Sequence, residues 1–192
     1  MRAGVLALQG AVAEHQRVLE SLGAQVELVR TPLQLEAVDA LVLPGGESTA
    51  MARLAAPSGL MTAIRERVGD GLAVLGTCAG LILLADEVLD AEALDGQPRI
   101  GGLDVAVRRN AYGNQLSSGE HRVEVSDTTT MRGIFIRAPR LERLGAGVEV
   151  LARRDGRPVV VRQDRIIGCA FHPELAGDDR LHRLVLELAA QD

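Results

Sequence analysis

Four short apolar runs, "GVLAL" at 4–8, "QVELV" at 25–29, "ALVL" at 40–43 and "LAVL" at 72–75, are separated by stretches of helical period. Runs of that length and composition suit buried strands. Between the first two, "AVAEHQRVLESLG" places Val12, Leu19 and Leu22 near helical spacing and stops at Gly23; before the fourth, "GLMTAIRERVGDG" does the same with Leu60, Ile64 and Val68. Strands alternating with helices need right-handed crossovers, so this order predicts a parallel sheet covered on both faces.

After residue 103 the pattern changes. "LDVAVRR", "HRVEV", "GIFIRA", "VEVLARR", "RPVVVRQ" and "RIIGCAF" follow one another with turns at Asp155-Gly156 and Gln163-Asp164, which predicts antiparallel additions to the sheet. A last helix with Leu181, Leu184, Val185 and Leu188 on one face closes the layer. The expected fold class is α/β, three-layered, with a mixed but mostly parallel sheet between helices. The chain has 192 residues and shows no repeat or linker, so one domain over 1–192 is expected.

A net charge of −5 and only three aromatic residues, Tyr112, Phe135 and Phe171, leave neither a basic surface nor a base-stacking platform, so nucleic acid is not an expected partner. The apolar stretch of "MRAGVLALQG" is shorter than a signal sequence requires, and no run reaches the ~18 apolar residues of a membrane span. A cytoplasmic chain with no membrane partner is expected. Two cysteines, Cys78 and Cys169, in such a context predict reduced thiols.

"LAVLGTCAGLILLA" reads as a strand, a turn from Gly76 to Gly80, and a helix. G-x-C-x-G is the thiol form of the nucleophile elbow. Glycines leave room for so sharp a turn, and the N–H groups opening the helix favour thiolate over thiol. The same residues also fit a buried cysteine whose glycines ease strand–helix contact. Further on, "IIGCAFHPEL" runs from a strand into His172-Pro173-Glu174, where proline keeps His172 extended. His172 and Glu174 then project to similar sides, as a base and its orienting carboxylate would; an exposed turn is the alternative. Cys169 lies inside the strand and is expected to pack in the core. "ALVLPGGEST" ends a strand in a glycine turn whose Gly46 N–H, with that of Ala79, suits an oxyanion hole; a plain turn with Ser48 capping the next helix is the alternative. All three segments fall at carboxyl ends of strands, where open α/β sheets bind ligands.

"PGGES", "GTCAG" and "FHPE", in that order, resemble the triad-type (class I) glutamine amidotransferases, a flavodoxin-like family. More narrowly, "LALQGAVAEH" at 6–15, "RRNAYGNQ" at 108–115 and "FIRAP" at 135–139 are similar to the glutaminase-subunit branch that serves ribose 5-phosphate-dependent pyridoxal 5'-phosphate (vitamin B6) synthesis. The resemblance spans essentially the whole chain. It implies Cys78 as nucleophile, His172 as acid/base and Glu174 as orienter. It also implies that Gly46, Glu47, Ser48, Arg109, Ile136 and Arg137 hold L-glutamine, with neither cofactor nor metal. Glutamine would be hydrolysed through a cysteine thioester and its ammonia delivered to a synthase subunit in a large hetero-oligomer. Gly119, where the pattern implies an aromatic residue, and "SDTTTMRG" at 126–133 depart from it.

Two rival readings are a PfpI-type elbow-cysteine hydrolase or protein-protecting factor, and a silent module that only binds a synthase. His-Pro-Glu speaks against the first and the intact Cys78, His172 and Glu174 against the second. The chain contains no lysine for a sugar Schiff base, so acceptor chemistry is expected on another polypeptide. A peptide reorientation at Gly45-Gly46-Glu47 on docking is the expected link between assembly and catalysis.

Overall fold

A computed structural model describes residues 1–90, 96, 99–109, 119–125 and 129–191. The first apolar run forms β1 (Arg2–Leu6), and the chain returns through α1 (Val12–Ser21) to the parallel strand β2 (Gln25–Val29), with Ala3 opposite Val26. A short helix not anticipated from the sequence, α2 (Pro32–Glu36), is started by a capping box: Thr31 Oγ1 accepts from the Gln34 N–H and Gln34 Oε1 accepts from the Thr31 N–H. Strand β3 (Ala40–Leu43) pairs with the other edge of β1. Helices α3 (Ser48–Ala55) and α4 (Leu60–Gly69) lead to β4 (Ala73–Thr77), parallel to β3, and α5 (Ala79–Leu84) follows at once.

The second half supplies β5 (Ala85–Val88), β6 (Leu103–Arg108), β7 (Gly119–Glu124), β8 (Thr130–Phe135), β9 (Arg140–Leu144), β10 (Glu149–Arg154), β11 (Arg157–Gln163), β12 (Ile166–Cys169) and α6 (Arg180–Ala189). A nine-stranded sheet runs β2-β1-β3-β4-β12-β11-β10-β7-β8. Its half from β2 to β12 is parallel, and β11, β10, β7 and β8 extend it antiparallel. The mixed, mostly parallel layer read from the sequence is therefore present.

Two expectations need correction. "RIIGCAF" is antiparallel to β11 as expected, but its other edge pairs parallel with β4, so it sits inside the sheet and not as a further antiparallel addition at the edge. "LDVAVRR" does not join the large sheet; it forms a separate three-stranded sheet, β5-β6-β9. The cause lies just upstream of β6, where the Leu83 carbonyl at the end of α5 accepts from the N–H groups of Ile100 and Gly101, both at 3.0 Å. Gly101 and Gly102, with φ of 73° and 97°, then turn the chain beside β5, and Asp86 Oδ1 accepts from the Gly102 N–H at 2.7 Å.

Asp155 and Gly156, with φ of 51° and 73°, form a two-residue loop between the paired Arg154 and Arg157, as a primed hairpin turn requires. Between β11 and β12 the loop is Asp164-Arg165, one residue later than expected. Gly119 sits opposite Phe135 at φ 143°, a backbone conformation that L side chains rarely adopt, so glycine rather than an aromatic residue suits this strand. Of the unusual "SDTTTMRG", residues 126–128 lie outside the described residues, as does "RRNAYGNQ" beyond Arg109; Thr129 accepts the N–H of Val125, and β8 begins at Thr130.

One apolar cluster extends from Ala3 in β1 to Leu188 in α6 and takes in β3, β4, β11 and β12. Within it the rings of Phe135 and Phe171 pack with centroids 5.0 Å apart. Among the described residues no helix is long and apolar enough to cross a membrane.

Candidate active site

Cys78 occupies the single residue between β4 and α5, at φ 48° and ψ −99°. An L side chain rarely adopts that conformation, and a residue held there stores on the order of 1–3 kcal/mol. It is held by its neighbour strand: Cys169 pairs with Thr77, and the Cys78 N–H donates to the Cys169 carbonyl at 2.8 Å. The glycine at position 80 is required by packing, because a Cβ there would stand 2.1 Å from the Leu43 carbonyl oxygen at the end of β3. The packing reading of the glycines therefore holds. The glycines let strand and helix touch, and the touching puts the cysteine on the turn.

Beyond β12 the chain bends at Ala170-Phe171 before His172 pairs again. His172 exchanges backbone hydrogen bonds with Ile134 of β8, at 2.9 and 3.4 Å, which excludes a free surface turn. His172 and Glu174 are both buried, and His172 Nδ1 donates to Glu174 Oε1 at 2.7 Å. Cys78 lies near enough to the ring to act on its protonation. Burial alone would lower the His172 pKa, but the hydrogen bonds and negative charges of Cys78 and Glu174 outweigh it and push it up to about 10. His172 is therefore held as the imidazolium across the neutral range. Gly45 closes over the ring, since a Cβ on it would lie 2.1 Å from His172 Cε1.

Cys78 opens into a pocket of about 80 Å³ lined by Gly46, Glu47, Ser48, Ile82, Arg109, Ile136 and Arg137. Every residue expected to hold a ligand is brought there, and Ile82 of α5 joins them. Ile136 and Arg137 arrive because β8 pairs with His172 two residues earlier, at Ile134. Glu47, not Ser48, caps α3: its carboxylate accepts from the N–H groups of Thr49 at 3.0 Å and Ala50 at 2.7 Å. It also pairs with Arg109 Nη2 at 3.2 Å. Although burial acts to raise its pKa, the two backbone donors and then Arg109 hold it below the usual carboxylate value. Ser48 Oγ is buried and makes no hydrogen bond among the described residues. The Gly45 carbonyl accepts from the Ala11 N–H at 3.1 Å, and Gln9 Oε1 accepts from the Glu47 N–H at 2.7 Å, so the glycine turn is pinned to the start of α1.

Sequence reasoning missed a buried polar group behind Glu174: His15 of α1, Thr77 of β4 and His182 of α6. The signal was a histidine on an apolar stripe, His15 four residues before Leu19 and His182 three before Val185, both partners being buried. Cys169 is fully buried, donates to the Phe171 carbonyl at 3.3 Å, and has its thiol pKa pushed up by burial. It is built as packing rather than as a nucleophile.

A family model described as the SNO glutamine amidotransferase family matches residues 5–190. The chain is 52% identical over 187 residues to a pyridoxal 5'-phosphate synthase subunit PdxT from Thermus thermophilus, covering 97% of this chain and 96% of that one. It is 51% identical over 193 residues to the PdxT of a Parafrankia strain, covering 100% and 94%. Among solved structures, a glutamine amidotransferase superposes with a TM-score of 0.91 at 48% identity, covering 98% of this chain and 99% of the other. Another glutamine amidotransferase, from Thermotoga maritima, is 18% identical with a TM-score of 0.62, covers 99% and 90%, and shares the fold.

Proposed function

The chain belongs to the SNO glutamine amidotransferase family, and on that premise we propose that it hydrolyses L-glutamine to L-glutamate and ammonia for a pyridoxal 5'-phosphate synthase. The observation that carries this reading is the buried line from Glu174 through His172 to Cys78, with a 2.7 Å hydrogen bond fixing the imidazole. A triad assembled and buried in this way supports catalysis over a silent binding role, and family membership sets the PfpI-type reading aside.

The Cys78 thiolate attacks the side-chain carboxamide carbon of glutamine, and the N–H groups of Gly46 and Ala79 stabilise the oxyanion of the tetrahedral adduct. The imidazolium of His172 gives its Nε2 proton to the departing nitrogen, the C–N bond breaks, and ammonia leaves a γ-glutamyl thioester on Cys78. Neutral His172 then takes a proton from water, hydroxide attacks the thioester carbonyl, and glutamate leaves as the C–S bond breaks and the thiolate re-forms. Glu174 keeps Nδ1 protonated throughout, which leaves Nε2 as the nitrogen that shuttles.

Free glutamine carries an α-carboxylate and an α-amine, and Arg109 and Glu47 have the charges to receive them. Their mutual ion pair keeps the two charges compensated when no substrate is present. Ser48, with its unpaired buried hydroxyl, and the Ile136-Arg137 backbone complete the glutamine pocket. The whole chain acts as one domain, a reading supported by the single apolar cluster. The synthase chemistry sits on a partner in a large hetero-oligomer, a reading supported by the lack of any lysine side-chain amine for a sugar Schiff base. Two free thiols suit the cytoplasm.

Ammonia release from glutamine, measured with and without a pyridoxal 5'-phosphate synthase partner subunit, tests the reading. Weak activity alone and a rise of at least about tenfold with the partner, roughly 1.4 kcal/mol of transition-state stabilisation, is expected. Absence of hydrolysis in both conditions, with Cys78 unlabelled by a glutamine-mimicking electrophile, overturns it.

A further inference from the structure

Behind Glu174 lies a buried polar chain that the hydrolysis steps above do not use. His15, Thr77 and His182 are all fully buried and come from three distant parts of the sequence. His15 Nδ1 lies 2.8 Å from His182 Nε2, while His15 Nε2 lies 3.1 Å from Thr77 Oγ1 and 3.5 Å from Glu174 Oε1.

The proton positions follow from electrostatics. Glu174 Oε1 accepts from His172, so it presents a carboxylate to its other neighbours. A lone pair on His15 Nε2 would be repelled by that oxygen and an N–H attracted to it, so Nε2 carries the proton. His15 Nδ1 is then an acceptor, and His182 Nε2 must donate to it. His182 Nδ1 is left as a bare lone pair, in keeping with its lack of a hydrogen-bond partner among the described residues.

Both rings stay neutral. Burial, joined by the cationic ring of His172, holds the His15 pKa well below its ordinary value. Burial likewise takes His182 down to about 4, against the pull of Asp179 and Asp178. His15 therefore offers Glu174 an N–H dipole and not a second cation that would compete with His172.

Glu174 needs such a neighbour. Its Oε2 is buried with no hydrogen-bond partner among the described residues, so the His172 bond alone leaves the carboxylate free to turn about its last torsion. An N–H held 3.5 Å from the same Oε1 attracts that oxygen and restricts the turn, in the way outer partners orient ligating or catalytic groups. Thr77 shares the same N–H and directly precedes Cys78, so the contact also ties the carboxylate to the strand that ends in the nucleophile.

We propose that His15, held in its Nε2–H form by His182 and shared with Thr77, is a positioning residue that locks the Glu174 carboxylate against His172. The proposal rests on the glutaminase reading. It gives the "GAVAEH" segment a role in catalysis although His15 touches neither substrate nor sulfur.

The test combines two readouts on the full chain, with the synthase partner present for turnover. In wild-type protein carrying ¹⁵N-labelled histidine, His15 and His182 should both be Nε2–H tautomers, and an Nδ1–H tautomer at His15 overturns the proposal whether or not any variant folds. His15→Leu should lower kcat at least tenfold while KM for glutamine stays within about twofold, and should shift the downfield proton resonance of His172 Nδ1–H. His15→Gln, whose side-chain N–H reaches the same point, should recover at least a third of wild-type kcat. A folded His15→Leu protein with wild-type kcat and an unmoved resonance overturns the proposal, as does a His15→Gln protein no better than His15→Leu. Tautomer and resonance are read without turnover, so they fail separately from the glutaminase reading, which fails if the wild-type protein releases no ammonia.

Discussion

The Cys78 N–H donates to the Cys169 carbonyl at 2.8 Å, which makes the elbow and the strand that delivers His172 one hydrogen-bonded unit. Parallel pairing of β4 with β12, Thr77 opposite Cys169, brings both strands to their carboxyl ends at the same level. Only the Ala170-Phe171 bend then separates the end of β12 from His172. The strain at Cys78 persists because this pairing over-determines its backbone.

Cys78→Ala is expected to abolish glutamine hydrolysis while leaving the fold intact, and synthesis supplied with free ammonium should continue. Cys78→Gly should be equally inactive yet more stable than Cys78→Ala by about 1 kcal/mol, because glycine accepts φ 48°, ψ −99° without a Cβ clash. Denaturant midpoints of the two variants compare them directly. Identical midpoints would show that the elbow stores no strain.

The His172 pKa is raised from its ordinary 6.5 to about 10, partly by the Cys78 sulfur. A raised value means that the charged ring stabilises the fold in full below 6.5 and that this contribution is lost as pH rises through about 10. Cys78→Ala removes the sulfur's share of this rise, so the His172 midpoint should fall and the alkaline loss of stability should move to lower pH. Ring resonances followed from pH 6 to 11 read the first effect and thermal melts the second. An unmoved midpoint would mean that the sulfur is not what holds the proton on His172.

Gly45→Ala places a methyl 2.1 Å from His172 Cε1, so either the ring or the glycine turn must give way. The expected result is a kcat at least about 100-fold lower, from misplacement of the base, with a stability cost of about 1–3 kcal/mol for overpacking. Steady-state kinetics beside a melting curve separate the two. Wild-type kcat in this variant would place the functional ring elsewhere.

Burial lowers the His182 pKa from 6.5 to about 4. A depressed value means that the neutral ring's contribution is present in full above 6.5 and is lost as pH falls through about 4, at about 1.4 kcal/mol per pH unit in between. The loss of stability between pH 6.5 and 4 should be shallower in His182→Gln than in the wild-type chain. Parallel curves for the two proteins would assign acid sensitivity to other groups.

What the sequence determined by itself is local. Apolar runs between helical stretches announced β1 to β4 with α1 and α4, the Asp155-Gly156 hairpin was readable from its turn residues, and the segments around Gly46, Cys78 and His172 were recognisable as strand ends because glycine, proline and alternation act over a few residues. Only the tertiary structure decided the rest. Whether "LDVAVRR" joined the large sheet depended on the Leu83 carbonyl capturing Ile100 and Gly101, a choice between competing strand partners that no local pattern encodes. Glu47 reads as a loop acid, yet it is at once the cap of α3 and the partner of Arg109, 62 residues away. His15 and His182 meet across 167 residues of chain. Neither position is marked by its neighbours, because the distance between side chains far apart in sequence is set by register and helix docking, and it is that distance that turns two core histidines into a polar chain behind Glu174.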